Sequence, residues 1–546
     1  MNLLTPYIIP FSSPPHQSNV ETMMQSNRLS DSSFLRPQPW SESVASTISA
    51  QPETQRAPTS VELLVQGQRD WKLRDRLPPL EVDWEKPYDP ENPMDWGSRR
   101  KWTYVALISA VTFNTSLATT IFAPGVPELM AEFHATSDIL ATFVVSVYVV
   151  AFIFGPLAFA PLSELYGRCV LLNATNVLFL AFTVACAVST TLPMFVVFRF
   201  FQGLWGCVPL TLGGGIIADV IPPARRANAL SGWQLGPLLG PVIGPIAGGY
   251  LSESLGWRWS FWIVTIIEGV LVILSLAILR ETYGPTLLAR RAARLRAETG
   301  NPGYRSIHDE ASANRTPSQV FARAILRPVK MLLRSPIVVI LALEVSIVYG
   351  YLYLLFTTFT SVFSGTYNFS PGAAGLAYLG LGTGFMAGLL FTGLLSDKLA
   401  LRLAGGSPSA LKPEHRLPPL ILGAFSVPIG LFWYGWAAEA RTHWIVPIVG
   451  TFFVGFGVLC VYMPVQAYLI DAFAQHAASA SATNTVVRSL FGAFLPFAGP
   501  PLYGALGLGW GNSLLAFVAL ATAPAPFLLL RYGERIRSSP RFKLDL

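Results

Sequence analysis

The sequence FRFFQGLWG at residues 198–206, followed by GPLLGPVIGPIAGG at residues 236–249, decides the fold, because both segments lie within otherwise apolar chain. Arg199, Gln202 and Gly203 recur at helical spacing, which places them along one side of a helix. A cation within a membrane-spanning helix costs about 2.5–3.5 kcal/mol and usually faces a bundle interior or a water-filled cavity. We therefore expect Arg199 to face inward. The alternative is an arginine near a helix end whose side chain reaches the membrane surface.

The second segment repeats Gly-Pro within an apolar span. Proline frees main-chain carbonyl groups, and glycine allows a neighbouring helix to approach closely. The pattern predicts a bent helix that packs tightly against a moving neighbour; the alternative is a kinked packing helix without a role in function. The residues of this motif are Gly236, Pro237, Gly240, Pro241, Gly244, Pro245, Gly248 and Gly249.

The composition is typical of a membrane protein. Of 546 residues, 52% are hydrophobic and 13% are charged, and the mean hydropathy is +0.47, which excludes a soluble domain of this length. The net charge of +7 falls in a few clusters without interleaved exposed aromatics, which argues against nucleic-acid binding. No GxxxxGK[ST] motif for ATP occurs. We expect no cofactor, no metal and no enzymatic activity. The cysteines are interpreted as packing residues: Cys169, Cys186, Cys207 and Cys460.

Twelve apolar segments are long enough to cross a membrane, since a crossing helix needs about 20 residues. Six precede a long polar segment, at 103–124, 137–160, 169–189, 193–217, 227–250 and 258–280. Six follow it, at 337–363, 373–396, 418–437, 445–470, 484–504 and 512–531. Lysine and arginine gather in alternate connections, and such connections face the cytoplasm. The sequence therefore predicts an all-α membrane protein of twelve transmembrane helices, with both termini cytoplasmic.

The same pattern predicts the domain boundaries. They are a disordered cytoplasmic tail at 1–98, a six-helix bundle at 99–282, a basic cytoplasmic loop at 283–335, a second six-helix bundle at 336–532 and a cytoplasmic tail at 533–546. The first tail is rich in Ser, Pro, Gln and Arg and has no sustained periodicity. Within the loop, residues 287–296 predict a basic amphipathic helix on the anionic inner leaflet; a protein partner is the alternative.

Three separated motifs resemble those of the major facilitator superfamily, specifically its fungal twelve-span drug:proton antiporters. The arginine segment resembles the family's motif in the fourth span, and the Gly-Pro segment resembles its antiporter motif in the fifth. GPLAFAPLSELYGR at residues 155–168 resembles its loop motif between spans two and three. The resemblance runs from about Asp89 to the last span. It implies two six-helix bundles in the major facilitator fold and a proton-coupling role for Arg199 and Gln202.

The loop motif of this family clasps helix ends on the cytoplasmic side and holds the outward-open state. Its matching residues are Gly155, Glu164, Gly167 and Arg168, and a weaker second copy contains Gly388 and Asp397 without the following Gly-Arg. Glu164 is expected to pair with a basic residue and to cap a neighbouring helix N-terminus. A static loop is the alternative, and Cys169 stands where family members often have a second arginine.

Polar stripes in spans one and seven, with glutamines in spans five and ten, predict a substrate cavity that is aromatic and uncharged. Its candidate residues are Thr115, Gln234, Ser346, Tyr349, Tyr353 and Gln466. For each residue alone, a hydrogen bond to the backbone or to a neighbouring helix is the alternative. Such a surface suits bulky amphipathic compounds that are neutral or weakly cationic.

Two acidic residues lie inside predicted spans. Because a charge within the membrane is costly, either carboxylate could take up a proton. Glu344 is the candidate for proton coupling, whereas Glu268 is better interpreted as a neutral structural residue. Asn368, in an Asn-Phe-Ser sequence, is the predicted glycosylation site in an outer connection, and Asn314 has the same type of motif in the loop predicted to lie inside.

We therefore expect a proton-coupled multidrug or secondary-metabolite efflux transporter of the plasma membrane, with the vacuolar membrane as the less favoured location. One alternative is proton-driven uptake of a polar nutrient or polyamine, and another is a receptor that has kept the fold. The expected partners are a small amphipathic organic substrate, the proton and membrane lipid, without nucleic acid. A monomer is expected.

Overall fold

The computed structural model describes residues 80–308, 317–406, 412–473 and 477–538, and helices dominate these ranges. Long apolar segments become helices in a membrane because a helix satisfies its own backbone hydrogen bonds. The helices of the first half are α1 (Ser98–Thr120), α2 (Val126–Glu132), α3 (Asp138–Tyr166), α4 (Arg168–Ala187), α5 (Leu192–Gly206), α6 (Val208–Val220), α7 (Pro223–Leu255) and α8 (Arg258–Ile278). A short strand, β1 (Leu80–Val82), precedes them.

The two halves are joined by α9 (Gly284–Thr299), the strand β2 (Tyr304–Ser306) and α10 (Pro317–Arg334). The helices of the second half are α11 (Pro336–Tyr367), α12 (Pro371–Leu376), α13 (Tyr378–Leu403), α14 (Pro418–Glu439), α15 (Ile445–Ala472), α16 (Ala477–Phe494), α17 (Gly499–Thr522) and α18 (Pro524–Ser538). Each half has its own large hydrophobic core. This arrangement confirms the predicted fold class of two helical bundles.

Ten stretches among the described residues are long and apolar enough to cross a membrane. The predicted twelve segments nevertheless all lie on helices. Two features explain why ten stretches are counted and not twelve. The helix α7 is not among the ten, although its 33 residues are long enough to cross. Residues 479–538 count as a single stretch, but the backbone of Gly507 is non-helical, with φ of 73°, and divides that stretch into two crossings.

The Gly507 turn is stabilised by a carboxylate. Glu439, at the end of α14, accepts hydrogen bonds from the backbone N–H groups of Leu508 and Gly509 at 2.7 and 3.3 Å. These N–H groups have no partner within the helix that begins there, and a negative charge at a helix N-terminus is favourable. The acid therefore fixes the point at which the chain reverses between its last two crossings.

Residues 80–97 correct the prediction that the whole segment 1–98 is disordered. The strand β1 pairs in parallel with β2, with Leu80 opposite Tyr304 and Val82 opposite Ser306. Asp89 is buried and binds the Arg291 guanidinium of α9 at 2.6 Å. The local composition predicts disorder. It does not reveal the partners of this short segment, which lie some 200 residues away. Residues 1–79 lie outside the described part of the chain.

The helix α9 also differs from its prediction. Its apolar face, with Leu288 and Ala292, packs against Val82 of β1 and does not lie free for lipid. Arg291 binds both Asp89 and Glu85, and Arg294 binds Glu91 at 3.1 Å. Burial acts to raise the pKa of Asp89, but backbone hydrogen bonds from Glu85 and Glu91, together with Arg291, hold that pKa below its ordinary value. Asp89 therefore stays charged near neutral pH and pairs with the helix.

We predict that Arg291→Gln releases residues 80–97 from α9. One hydrogen bond between charged groups contributes about 1.5 kcal/mol, so cleavage of this segment by a glutamate-specific protease should become roughly tenfold faster in the solubilised protein. Arg290→Gln is the matched control, because Arg290 is exposed on the same helix. Equal cleavage rates in the two variants would show that the ion pair does not hold the segment.

Candidate functional site

Arg199 lies fully buried in the middle of α5. Its Nη2 donates to the carbonyl oxygens of Ala118 and Thr119 at 2.8 and 3.1 Å, and its Nη1 donates to Oε1 of Gln202 at 2.7 Å. The two carbonyl groups belong to the last turn of α1, where carbonyls lack partners within the helix and favour a positive charge. Arg199 therefore caps the end of α1 and does not reach the membrane surface.

Gln202 extends this contact to a third helix. Its Nε2 donates to Oγ1 of Thr183 on α4 at 2.9 Å. The ring of Tyr148 on α3 lies 4.7 Å from the Arg199 guanidinium, and the Tyr148 hydroxyl donates to the carbonyl of Thr115 at 2.9 Å. Arg199 and Gln202 thus connect four helices of the first half through neutral groups. Among the described residues, no carboxylate forms an ion pair with Arg199.

Glu344 lies in the second half, on α11. Its Oε2 accepts a hydrogen bond from Thr522 on α17 at 3.3 Å, whereas its Oε1 is buried without a partner. Glu268 has a similar environment in the first half, where Asn114 donates to its Oε2 at 2.8 Å and its Oε1 has no partner. The predicted coupling residues are therefore divided between the two halves, with Arg199 and Gln202 in one and Glu344 in the other.

The loop motif is built around an acid that the sequence analysis did not select. Glu281, after α8, accepts hydrogen bonds from the backbone N–H groups of Arg168 and Cys169 at 3.0 and 3.2 Å, and so caps the N-terminus of α4. Gly167 is required beside it, because its φ is 105° and a side chain there would overlap the Glu281 carboxylate. The predicted capping role of Glu164 is therefore wrong in this conformation.

Glu164 itself is exposed and forms no hydrogen bond or ion pair with the described residues. Its neighbour Arg168 instead binds Asp219 at the end of α6 at 3.4 Å and lies 4.9 Å from the Tyr283 ring. Gly155 packs so closely against Cys207 that a side chain at Gly155 would overlap the sulfur. For the second copy of the motif, Gly388 packs on Phe456 and Leu459 of α15. Asp397 lies on α13, and its side chain is outside the described part of the structure.

The glycines of the Gly-Pro motif form a stripe along α7 that lies on the backbone of α1. Atoms of α1 lie 3.0 Å from the position of a Cβ at Gly236, 2.7 Å at Gly240 and 2.6 Å at Gly244. A Cβ at Gly248 would overlap the Ile121 carbonyl just past the end of α1. The helix stays continuous across Pro237, Pro241 and Pro245. The predicted close neighbour is therefore α1, in the same half.

The last glycine of the motif meets the other half. A Cβ at Gly249 would overlap the carbonyl oxygen of Pro371, and a Cβ at Gly375 would lie 2.5 Å from the carbonyl oxygen of Pro245. Beside this contact, Glu253 accepts hydrogen bonds from the Ser370 hydroxyl and the Gly372 N–H, both at 3.0 Å. The two halves are thus closed at this end of α7 and α12, the end that the charge pattern predicts to lie outside.

The predicted cavity residues differ in their environments. Thr115 and Ser346 do not line an open space in this conformation, because both are fully buried and their hydroxyls donate to carbonyls of their own helices at 3.1 and 2.5 Å. Tyr349 and Tyr353 lie together, with ring centroids 5.0 Å apart. Gln466 donates to Ser481 at 2.8 Å. Gln234 is half-buried on α7.

A second arginine inside a span was missed by the sequence analysis. Arg488, on α16, lies with its guanidinium 4.8 Å from the ring of Tyr349 and 5.2 Å from the ring of Tyr462. The predicted cavity is therefore not uncharged. The rule applied to Arg199, that a cation inside an apolar span is a functional candidate, would have identified Arg488 in the predicted span 484–504.

Asn368 ends α11 in the left-handed conformation, with φ of 56°, and is exposed. It is therefore accessible, as a modification site must be. Asn314 lies outside the described residues. The four cysteines are all buried and free, which agrees with their interpretation as packing residues.

Comparisons with known proteins place this geometry in context. Residues 108–496 match the sequence profile of the Major Facilitator Superfamily. The MFS-type transporter penM of Penicillium rubens is 53% identical over 88% of this chain and 93% of its own. The efflux pump radE of Floropilus chiversii is 46% identical over 87% of this chain and 88% of its own. The proton:xylose symporter XylE of E. coli has a similar fold, with a TM-score of 0.57 and 17% identity over 80% of this chain and 96% of its own.

We predict that Arg199→Ala destabilises the protein. An arginine with a purely functional role could instead be replaced without loss of stability. The substitution removes the Arg199 donors from two carbonyls of α1 and from Oε1 of Gln202, which should lower the free energy of unfolding by about 3 kcal/mol. Thermal unfolding in detergent measures this loss, with the exposed Arg531→Ala as control. Arg199→Lys should recover only part of it, because an ammonium group lacks the planar fork. A melting temperature equal to that of the wild type would contradict the capping role.

We predict that Gly249→Ala weakens the closure between α7 and α12. The added methyl group overlaps the Pro371 carbonyl and should cost about 1–3 kcal/mol, roughly a tenfold shift toward separation. The readout is maleimide labelling of Val242→Cys, a buried position beneath this contact, in a background lacking the native cysteines. Gly232→Ala on the same helix is the control, because nothing lies within 4 Å of its Cβ position. Equal labelling of the two variants would exclude the proposed closure.

Proposed function

The chain belongs to the Major Facilitator Superfamily, among fungal MFS-type transporters and efflux pumps, and on that premise we propose that it exports an amphipathic organic compound in exchange for protons. Membrane transport follows from the family itself. The finer statement, export of drugs, toxins or secondary metabolites, is supported above all by the 46% identity to a protein named as an efflux pump.

Alternating access requires two bundles that separate at one end while they close at the other. The contact of Gly249 with Pro371 and the bond of Glu253 to Gly372 are made between the halves, so they must break when that end opens. The glycine stripe of α7 lies instead on α1 of its own bundle, where close backbone contact gives a rigid body. A rigid pair of helices with a breakable contact at its tip is suited to rocking of one bundle against the other.

Proton coupling requires a group inside the membrane that gains and loses a charge. Glu344 is our candidate, because one of its oxygens is buried without a partner and the other accepts only from a hydroxyl that could equally bond to a neutral acid. Arg199 and Gln202 keep the first bundle together while the second changes its protonation state. One charge that crosses about 100 mV releases about 2.3 kcal/mol, which can drive export without ATP.

We propose the plasma membrane as the location, with both termini in the cytoplasm. The basic residues of α9 and of the end of α18 then lie on the same side, as the preference of cytoplasmic segments for lysine and arginine requires. In this orientation Asn368 is outside and available for glycosylation, and the domain boundaries predicted from sequence become cytoplasmic segments around two bundles. The protein would act as a monomer in contact with membrane lipid.

We expect inside-out plasma-membrane vesicles from yeast that expresses this chain to accumulate at least one compound from a panel of azoles, fungal toxins and polyamines. Accumulation should require an acidic vesicle interior and stop when a protonophore is added. Glu344→Gln should reduce it at least tenfold, because an amide cannot carry the proton, whereas the exposed Glu534→Gln should not change it.

Labelling of Asn368→Cys by an impermeant maleimide on intact cells serves as the control for delivery and orientation. Accumulation that does not depend on the proton gradient would contradict antiport. Accumulation by right-side-out vesicles when their exterior is the more acidic side would indicate uptake.

A further inference from the structure

Arg199 is buried and Arg488 is half-buried among the transmembrane helices of the first and second half, and only the Nη groups of Arg199 donate to amide and backbone oxygens. Arg199 makes hydrogen bonds to Ala118, Thr119 and Gln202. Arg488 is held by the faces of Tyr349 and Tyr462 and by the Tyr462 hydroxyl, and the Nε atom lacks a hydrogen-bond partner in both arginines. Among the residues that the structure describes, Arg488 forms no ion pair with a carboxylate.

Arg488 lies well inside its helix. It is eleven residues from the start of α16, which corresponds to about 16 Å along the helix. Tyr462 lies ten residues before the end of α15, at about the same depth from the same side. Both side chains therefore lie well inside their helices, where a cation is costly without an opposite charge or strong acceptors.

Arg488 also lies where the two halves meet. Its helix, α16, packs against α11 and α15 of its own bundle and against α3 of the other. On α3, the hydroxyl of Ser146 is buried without a hydrogen-bond partner. Arg488, Tyr349 and Tyr462 are all only half-buried, although they lie deep within the bundle. Partial exposure at this depth indicates a space between helices that is open to a ligand.

The chemistry of this cluster selects a particular group. A cation at the membrane centre costs several kcal/mol unless an opposite charge or strong acceptors offset it. Tyrosine faces stabilise the guanidinium only in part, since such contacts contribute about 2 kcal/mol when desolvated. The planar fork of arginine matches a carboxylate, or another anionic oxygen, in a two-pronged contact. A substrate that brings such an oxygen would complete the site.

We propose that Arg488, between Tyr349 and Tyr462, binds an anionic oxygen of the substrate, so that the exported compounds are amphipathic acids, bearing a carboxylate or an acidic enol. This inference rests on the proposed exporter function and narrows its substrate class. It replaces the expectation of neutral or weakly cationic substrates, because a fixed positive charge in the site repels a cation and favours an acid. Arg199, whose Nη groups already bind Ala118, Thr119 and Gln202, keeps a structural role in the first half.

The test is a binding measurement on the full-length protein in lipid nanodiscs, with 1-pyrenebutyric acid and its methyl ester as probes. The fourteen tryptophans of the chain transfer excitation energy to bound pyrene, which reports binding of either probe. We expect the wild type to bind the acid at least about tenfold tighter than the ester, the size of one hydrogen bond between charged groups. In Arg488→Gln the two probes should bind equally.

Arg531→Gln is the matched control, because Arg531 also lies beside a ring, that of Tyr532 at 5.7 Å, but is exposed. It should keep the preference for the acid. Arg488→Lys decides the matter if Arg488→Gln does not fold: it should lose affinity for the acid, because its point charge lacks the fork, and keep its affinity for the ester. Unchanged acid affinity in Arg488→Lys would then overturn the proposal.

Two further outcomes would overturn it: no preference for the acid in the wild type, including no binding, or a preference that persists in Arg488→Gln. The measurement needs no proton gradient and no flux. A preference for the acid without accumulation in vesicles would therefore contradict the exporter function and support the anion site. Proton-driven export without that preference would support the exporter function and contradict the anion site.

Discussion

The cap that Arg199 places on the end of α1 is the interaction on which the first bundle depends. Within a membrane every backbone carbonyl and every charge must find its partner inside the protein. Arg199 meets both requirements at once, since its charge is spread over two orphan carbonyls of α1 and an amide oxygen on α5. Gln202 then forms a hydrogen bond to α4, and the Tyr148 ring of α3 lies beside the guanidinium. Four helices of the first bundle are therefore joined at this centre.

A second device recurs at the helix ends, where glutamate side chains accept hydrogen bonds from free backbone N–H groups. Glu281 caps α4, Glu439 caps the crossing that follows Gly507, and Glu128 accepts from the N–H of Trp257 before α8. Each of these three contacts joins two elements of the same half. Glu253 differs, because it reaches from α7 to the start of α12 in the other half. The same chemistry therefore caps helices within a half in three places and joins the two halves in one.

The two halves resemble each other in architecture but differ in chemistry at their centres. The first has an arginine held by amide and carbonyl oxygens, whereas the second has one held by tyrosine faces and a hydroxyl. Each half also contains a carboxylate with one oxygen that lacks a hydrogen-bond partner, Glu268 in the first and Glu344 in the second. The two halves therefore differ in the groups that surround their central arginines, and the proposed substrate contact lies in the second.

The sequence by itself determined what depends on local pattern. Hydropathy and helical spacing are properties of neighbouring residues, and they located the twelve crossings, the inward side of Arg199 and the close-packing stripe of the Gly-Pro motif. Tertiary structure alone decided the partners. Glu281 caps Arg168 across a separation of 113 residues, Arg291 binds Asp89 across 202, and Arg488 meets rings from α11 and α15. Such pairings depend on how helices pack side by side, and a periodicity read along one helix contains no information about which acid or ring stands opposite.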